Sequence, residues 1–425
     1  MIKIEVHRAK QIGGQITVVS TEKTKIIIDL GMNLPGEDVE DEYNNHESIA
    51  NLTKGCDAIF YTHYHGDHIG LFHYVDRDIP QYIGDVARQV VVKKYETLLR
   101  IPNLDDQTRL SYQNGLENAQ IMKTFHAAEH ITVGDVKVTP FLVSHSAYDA
   151  YMFLLEAKGK RILHTGDFRG HGYFGEKIVD ALKKYVGQVD VLTIEGTMLN
   201  REKDSEVMSE RELSTRARNI INSNKYVFVH CSSTDLDRLA SFKNAASDKR
   251  RVLVADDFQS KILKIFSDTA GKKSSCFDFG KVYSYNVGNK KLDNYMINCG
   301  FVMFVRATDK FNKFLDHLLP MLDAKQTKLI FSMWSGYIDL EKTLNKKYVE
   351  LQNRFKDVIR LHTSGHAKKE MLLKICDVVN PTTAIIPIHR EKDSDFSSIG
   401  LTNDMANKVV SSNTELNGIE IQFVS

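Results

Sequence analysis

Alternating and continuous apolar runs dominate the first 195 positions and predict a strand-rich region. Helical periodicity interrupts these runs near 85–99 and 176–185. The predicted strands cover 15–20, 24–29, 57–62, 136–143, 152–156, 161–164 and 189–195. An acidic segment, 35–46, follows the strand at 24–29 and is expected to border a site.

After position 197 the pattern changes to alternating helices and short apolar strands. The predicted helices cover 205–222, 235–246, 258–269 and 310–322, and the predicted strands cover 226–230, 252–255, 301–305 and 328–333. Such alternation is typical of a parallel sheet with helices on its faces. The segment 271–294, rich in Lys, Gly, Ser and Asn, is predicted to be irregular, and a last strand is predicted at 419–424.

The composition is that of an ordinary globular protein, with 42% hydrophobic and 26% charged residues in 425 positions. A net charge of +1 gives no overall attraction to polyanions, so any such binding needs a local patch. Five scattered cysteines form no CxxC pair and suit a reducing compartment. We expect a cytoplasmic protein without a membrane partner, since no signal peptide or long apolar run is visible.

The strongest chemical signal is the hexapeptide His63-Tyr64-His65-Gly66-Asp67-His68, which directly follows a predicted strand. Imidazole nitrogen and carboxylate oxygen are ligands that hold zinc or manganese while leaving a position for water. A strand leading into a tight glycine turn could direct all four side chains into one cavity. The hexapeptide therefore predicts a metal site.

Four further polar residues stand at the ends of predicted strands: Asp29, His145, Asp167 and His389. Together with the hexapeptide, and in this order, they resemble the metallo-β-lactamase superfamily over nearly the whole chain. The resemblance implies an α/β fold of the αββα sandwich type. Taken singly, a strand-end residue such as His145 could be an ordinary loop residue, and Asp29 could simply make a turn.

The resemblance implies two divalent ions, zinc or alternatively manganese. One ion would be held by His63, His65 and His145, and the other by Asp67, His68 and His389. Asp167 would bridge both ions, and Asp29 would orient the ligands from behind. His73, His126, His130, His164 and His171 match no ligand position and are expected to be structural.

The late α/β interruption resembles the β-CASP branch of this superfamily, a group of nucleic-acid-processing hydrolases. It implies a core at 1–198 and 358–425 with an inserted β-CASP domain at 199–357. The branch's further marks have candidates in Glu195, His366 and His389. Histidine at the last position goes with RNA substrates in the branch. Ser364-Gly365-His366-Ala367 looks most like the ribonuclease J family.

Two features depart from that family. Ala147-Tyr148-Asp149 stands where a proline usually follows the third-motif histidine. Only a short segment follows His389, whereas ribonuclease J typically continues with a further domain. We therefore expect a short ribonuclease-J-like protein, for which a homodimer is an open alternative.

The expected activity is metal-dependent phosphodiester hydrolysis of RNA by a metal-bridging hydroxide. Asp67 would orient that hydroxide, His366 would bind phosphate or protonate the leaving oxygen, and Glu195 would orient a ligand or His366. Ser364, Gly365, His366 and Ala367 would contact substrate, with backbone N–H groups before a helix as an anion cradle. Glu195 could instead be a plain turn acid, and Ser364-Gly365 a simple helix start.

Two other functions stay open from the sequence. One is a small-molecule hydrolase of the same fold, acting on a lactone or thioester, although so long an insertion exceeds what a small substrate needs. The other is a catalytically weak RNA-binding subunit, although every ligand position is retained. Basic clusters at 249–251, 272–273, 290–291 and 346–347 could belong to a substrate groove or to solvated faces. The segments 232–233 and 334–337 follow strands of the insertion and are further candidates for substrate contact.

Overall fold

A computed structural model describes residues 1–34, 43–201, 207–339, 345–410 and 418–423. The chain divides into two compact units. Unit 1 comprises Met1–Ser205 and Gly365–Ser425, and unit 2 comprises Glu206–Ser364. The predicted insertion at 199–357 begins and ends a few residues earlier, and its separate functional role stays a prediction. Most of the acidic segment 35–46 lies outside the described residues.

Nineteen strands lie in the described part of the chain. They are β1 (Ile2–His7), β2 (Ile16–Ser20), β3 (Lys25–Ile28), β4 (Ala58–Phe60), β5 (Gln81–Gly84), β6 (Lys123–Phe125), β7 (Ile131–Val133), β8 (Val136–Val143), β9 (Ala150–Ala157), β10 (Lys160–His164), β11 (Val191–Glu195), β12 (Tyr226–His230), β13 (Val252–Ala255), β14 (Val282–Ser284), β15 (Phe301–Val305), β16 (Thr327–Phe331), β17 (Val358–Arg360), β18 (Ala384–Ile388) and β19 (Gly418–Phe423).

The α-helices of the described residues are α1 (His46–Thr53), α2 (Gly66–Ile69), α3 (Asp85–Leu98), α4 (Asp106–Ile121), α5 (Lys177–Tyr185), α6 (Glu210–Ser223), α7 (Leu236–Ala246), α8 (Asp257–Phe266), α9 (Lys290–Cys299), α10 (Asp309–Leu318), α11 (Lys346–Asn353), α12 (Lys369–Val379) and α13 (Asn403–Ala406). None of them is long and apolar enough to span a membrane.

Unit 1 is a sandwich of two sheets, ordered β19-β1-β2-β3-β4-β5-β6 and β18-β11-β10-β9-β8-β7. One apolar core lies between them and joins side chains such as Ile26 and Phe60 to Phe153 and Ile386. The opposite face of the second sheet packs on α5 and α12, and α3 lies against β5 and β6. Because β11 and β18 are covered on both faces, all their residues are buried, and β18 is continuously apolar. The predicted αββα architecture is confirmed.

Parallel pairing places several strand ends of unit 1 side by side. β3 is parallel to β4, and β11 is parallel to both β10 and β18. In the register of β11 and β18, Glu195 lies opposite Ile388, so His389 follows directly beside it. Residues that follow these strands therefore meet at a common edge, as expected for parallel strands.

Unit 2 contains a six-stranded sheet, ordered β14-β13-β15-β12-β16-β17, in which every pairing is parallel. One face carries a core formed with α9, α10 and α11. On the other side, α7 and α8 lie against central strands. The predicted parallel α/β insertion is confirmed, and four strands, β8, β12, β13 and β15, have the predicted limits.

One prediction of local structure is wrong, and one helix is missing from the predicted elements. The segment 271–294, expected to be irregular, contains β14 and the start of α9. The polar composition of this segment does not reveal α9, because Leu292 and Met296 bury one face of an otherwise polar helix. The sequence pattern does not predict α4, whose buried residues are only Gly115, Asn118 and Ala119. A helix without an apolar stripe leaves little periodic signal.

Candidate metal centre

The hexapeptide does not form the expected glycine turn. The segment runs from β4 into the short helix α2, which contains both Asp67 and His68. Gly66 has room for a side chain, since no atom lies within 4 Å of a Cβ built there. The close approach occurs instead at Gly31, where a Cβ would lie 1.8 Å from the Asp67 carbonyl oxygen. The backbone of residues 30–32 therefore positions α2.

The first predicted ligand set, His63, His65 and His145, comes together in the structure. One ring nitrogen from each lies within 4.8 Å of the others. Nε2 of His145 lies 3.2 Å from Nδ1 of His65, and Nδ1 of His145 lies 2.8 Å from the Gly365 carbonyl oxygen. His145 therefore donates from Nδ1 to the carbonyl, which fixes its tautomer and leaves Nε2 as the potential ligand.

The second predicted set, Asp67, His68 and His389, also converges within 4.8 Å. Nε2 of His389 lies 3.2 Å from Oδ2 of Asp67. His389 has a left-handed backbone, with φ of 47°. Such a conformation costs about 1–3 kcal/mol for a non-glycine residue and persists where surrounding contacts enforce it.

Asp167 lies between the two sets, and its role as a bridging carboxylate stays a prediction. Its Oδ2 atom is 3.1 Å from Nε2 of His68 and 3.9 Å from Nε2 of His145. The same oxygen lies 3.7 Å from Nε2 of His389. One carboxylate oxygen thus approaches imidazoles of both sets.

Asp29 is bound behind the ligands. Its Oδ2 atom lies 2.8 Å from Nδ1 of His68. Thr62 donates to Asp29 through its backbone N–H, at 2.7 Å, and through its hydroxyl, at 2.8 Å. This contact directs Nε2 of His68 towards Asp167, which is the orienting arrangement expected of a residue behind a metal ligand.

Buried Glu195 and partly buried His366 form a pair next to the ligand sets. Nδ1 of His366 lies 3.1 Å from Oε2 of Glu195 and 3.7 Å from Oδ2 of Asp167. Asp167, Glu195, His366 and His389 form a further group with a potential ligand atom from each within 4.8 Å. His366 is thus closer to the ligand sets than the sequence implied.

The segment 364–367 differs from the expected anion cradle. The Ala367 N–H points at Oε1 of Glu195, at 3.3 Å, so this donor is directed to a carboxylate. The next helix, α12, begins at Lys369, after the segment. Gly365 is needed for close packing, because a Cβ there would lie 2.5 Å from Oγ of Ser146. Within unit 1 the segment therefore supports Glu195 and His145, and substrate contact by Ser364, Gly365 and Ala367 stays a prediction.

Burial and mutual repulsion favour neutral imidazoles in the first set. Burial, followed by the nearby His68 and His145, holds the pKa of His63 well below its usual range. Burial lowers the pKa of His65 to about 4 despite the charges of Asp67 and Asp167. Burial and His65 likewise lower the pKa of His145. Neutral imidazole is the form that binds a metal ion.

Around the carboxylates, by contrast, the effect of nearby charges on the pKa values outweighs the effect of burial. Burial alone would lower the pKa of His68, but Asp167 and Asp29 raise it well above its usual range. Burial opposes ionisation of Asp167, yet His389, His68 and His366 hold its pKa well below the usual range. Burial lowers the pKa of His366, but Glu195 and Asp167 more than offset it and raise the pKa.

Two buried polar atoms in the cluster have no hydrogen-bond partner within the described ranges: Nε2 of His63 and Oδ1 of Asp167. Buried polar atoms are nearly always satisfied, so an unsatisfied pair among converging ligands fits a bound cation. The donor set of imidazole and carboxylate suits zinc or manganese. The residues present therefore fit a pair of divalent ions.

Thr62, Thr197 and His164, to which the sequence pattern assigns no functional role, also belong to this region. Thr197 contacts Oε2 of Glu195 at 2.7 Å and Nδ1 of His389 at 2.8 Å, and Thr62 links Asp29 to the hexapeptide. His164, expected to be structural, is buried near the cluster, and burial lowers its pKa to about 4. A hydroxyl next to a strand-end ligand was the available signal for both threonines.

Comparison with known proteins agrees with this geometry. Residues 24–231 match the family described as the beta-lactamase superfamily domain. Residues 24–231, most of which lie in unit 1, are similar to a domain of the metallo-β-lactamase type. The fold implies divalent metal binding, and the His/Asp groups described above could supply the ligands.

The curated relatives that this chain matches are distant. Ribonuclease J of Helicobacter pylori is 26% identical over 165 residues, covering 37% of this chain and 22% of the relative. The probable RNase MJ4 of Methanocaldococcus jannaschii is 25% identical over 198 residues, covering 45% of this chain and 44% of the relative. The chain thus matches less than half the length of either relative. These matches confirm the resemblance to ribonuclease-type members of the superfamily.

A solved structure matches over the full length. A protein of unknown function from Enterococcus faecalis V583 superposes with a TM-score of 0.72, covering 99% of both chains, at 19% sequence identity. At this identity the likeness shows the shared fold alone. The fold of this chain therefore occurs over the full length of another protein.

Proposed function

We propose that this metallo-β-lactamase protein is a metal-dependent ribonuclease that hydrolyses phosphodiester bonds. The observation that carries the proposal is the Glu195–His366 pair, which lies beside Asp167 at the junction of two ligand sets. Any metal-dependent hydrolase with this fold needs the metal ligands. A phosphodiesterase also benefits from a cationic group near the scissile phosphate. The names of the ribonuclease relatives support this choice.

The ligand residues would hold two divalent ions in the sets already described. Such a pair supplies an activated water at neutral pH and neutralises charge on a phosphate. Zinc is proposed first, and a ligand set of nitrogen and oxygen atoms alone also admits manganese. Asp29 and Thr62 would keep His68 oriented, and Thr197 would keep His389 oriented.

His366 would bind a phosphate oxygen or protonate the leaving oxygen. Glu195 favours the protonated imidazole, both by its charge and by the contact at Nδ1. With Nδ1 held by Glu195, the opposite ring nitrogen is the one that would serve substrate. Ser364 and Gly365, together with segments 232–233 and 334–337, remain proposed substrate contacts.

The test compares metal content and RNA cleavage on the same samples of three variants. His366→Ala should lower the cleavage rate strongly and keep the metal, whereas His389→Ala should lose metal as well. His130→Ala, at an exposed histidine outside the cluster, is the matched control and should retain both properties. Loss of metal in His366→Ala would assign that residue to the ligands instead.

Asp67→Ala should reduce turnover to below about a tenth of wild type, because it removes a ligand and its contact with His389. RNA should be cut in preference to DNA of the same sequence.

If His366→Ala leaves RNA cleavage unchanged while a thioester or lactone is hydrolysed rapidly, a small-molecule hydrolase replaces the ribonuclease proposal.

A further inference from the structure

An edge of unit 2, distant in sequence from every candidate metal ligand, carries an aromatic and basic surface. β14 is a terminal strand of the sheet and pairs only with β13 among the described residues. We call the surface formed by Lys281, Tyr283, Lys291 and Tyr295 the tyrosine–lysine edge. Its residues come from β14, the position before it, and α9.

The two tyrosines of this edge are neighbours. Their ring centroids are 5.5 Å apart, with an interplanar angle of 50°. Tyr295 is 45% exposed, and Tyr283 is half-buried. Tyr283 packs in part against the unit 2 core. Tyr285, by contrast, is fully buried, where it packs on Phe314 and bonds to Asp293. The pair therefore presents aromatic surface to solvent.

Lysines stand beside both rings. Nζ of Lys281 lies 4.5 Å from the ring centroid of Tyr283, and Lys291 precedes Tyr295 by one helical turn on the same face of α9. Within 271–300 the exposed lysines are Lys272, Lys273, Lys281, Lys290 and Lys291. Asp278 is the exposed acid of that range, because Asp293 is buried against Tyr285. The charge here is locally positive in a chain of net charge +1.

We propose that the tyrosine–lysine edge binds single-stranded RNA. Adjacent exposed rings provide stacking surfaces for unpaired bases, and the flanking lysines can contact phosphates. A duplex offers no unpaired base faces, so the rings favour the single strand. The inference rests on the proposed function, since it concerns how an RNA substrate would be retained.

A structural role for the lysines gives a different expectation. Lysines on a terminal strand discourage edge-to-edge association of sheets. That role requires no aromatic neighbours and no affinity for nucleic acid. The two explanations therefore differ in what the tyrosines contribute to binding.

The test measures binding of a 2′-O-methylated oligouridylate, which resists cleavage, to the full chain by fluorescence anisotropy. Replacing both tyrosines by alanine (Y283A/Y295A) should weaken binding about tenfold or more. The phenylalanine pair (Y283F/Y295F) keeps the rings and should bind like wild type. This second pair shows that the rings, and not the hydroxyls, are responsible for binding.

The lysines are tested through salt dependence. Replacing Lys281 and Lys291 by glutamine should lower the slope of log affinity against log salt by about 0.7 per lysine. A matched control lies in unit 1, where Nζ of Lys184 is 4.9 Å from the ring of Tyr185, itself 60% exposed. The variant K184Q/Y185A should change neither affinity nor slope.

The proposal fails if wild type does not bind the oligonucleotide, or if Y283A/Y295A binds as tightly as wild type. It also fails if duplex DNA binds equally well through the lysines alone. Hydrolysis of a small chromogenic phosphodiester separates this surface from the active site. Y283A/Y295A should keep that activity. If the wild-type protein hydrolyses neither RNA nor this compound, the proposed function is contradicted, but the binding result remains valid.

Discussion

Near the candidate metal centre, Gly31 has the least room for a side chain, although it lies outside the hexapeptide. Gly31 donates to the Gln15 carbonyl at 2.9 Å, while Leu30 and Met32 donate to carbonyl oxygens of His68 and Gly66. A side chain on Gly31 would meet the Asp67 backbone at 1.8 Å. The position of α2, and so of Asp67 and His68, depends on this contact.

We therefore predict that Gly31→Ala lowers metal affinity by about tenfold or more, as displaced supporting groups do at metal sites. Gly66→Ala is the control, because its Cβ would meet nothing within 4 Å. Competition with a chromogenic chelator measures both affinities. Equal losses in the two variants would mean that the hexapeptide glycine matters as much as Gly31.

A second residue-scale prediction concerns His230, which is buried at the end of β12. Its ring packs on Tyr348 at 4.6 Å and on Phe331 at 5.5 Å, and burial lowers its pKa to about 4 from 6.5. The unfolded chain therefore binds a proton at a higher pH than the folded chain. The stability contributed by neutral His230 is complete above about pH 6.5 and is lost as the pH falls towards about 4.

His230→Phe should reduce the loss of unfolding free energy between about pH 6.5 and about pH 5 by about 2 kcal/mol relative to wild type. Urea titrations at several pH values measure this difference. His126→Phe, at an exposed position, should retain the wild-type pH dependence. An unchanged profile in His230→Phe would show that its imidazole titrates normally in the folded protein.

At the scale of elements, unit 2 is tied together by a buried ion pair. Arg238 on α7 contacts both carboxylate oxygens of Glu210 on α6, at 3.1 and 3.2 Å from Nε. The same guanidinium donates to Oγ of Ser332 at 2.8 Å and to the Thr363 carbonyl oxygen at 2.8 Å. One side chain therefore links two helices to the segments that follow β16 and β17.

Arg238→Met should lower the free energy of unfolding by about 3–5 kcal/mol, since it leaves Glu210 charged and buried. Arg218→Met removes an exposed pair with Asp248 and should cost about 1 kcal/mol or less. The double variant R238M/E210M should recover part of the loss. Denaturant unfolding of all three decides whether the buried pair has this effect.

At the scale of the whole molecule, we predict close to two divalent ions per chain. Elemental analysis of demetallated and reconstituted protein measures the stoichiometry, and a value that never exceeds one contradicts the two-ion proposal.

Removal of the ions should lower Tm, because they bind the folded chain. Return of zinc or manganese at a hundredfold excess over Kd should restore about 2.7 kcal/mol of unfolding free energy per ion. His63→Ala should show a smaller response, because it lacks a ligand of the first set.

The sequence by itself determined the class of each region. Apolar runs such as 226–230 and 252–255 match observed strands residue for residue, because strands buried on both faces leave a continuous signal. The hexapeptide and the four strand-end residues predicted which side chains meet. Parallel strands bring their carboxyl ends to one edge whatever the details of packing.

Tertiary structure alone decided how those side chains are held. The helical form of α2, the close approach at Gly31 and the contacts of Thr197 depend on segments far apart in the chain. The polar helix α4 and the tyrosine–lysine edge depend on the neighbours that each segment meets in the fold. A local pattern records what a residue prefers, whereas these features are set by contacts that only folding creates.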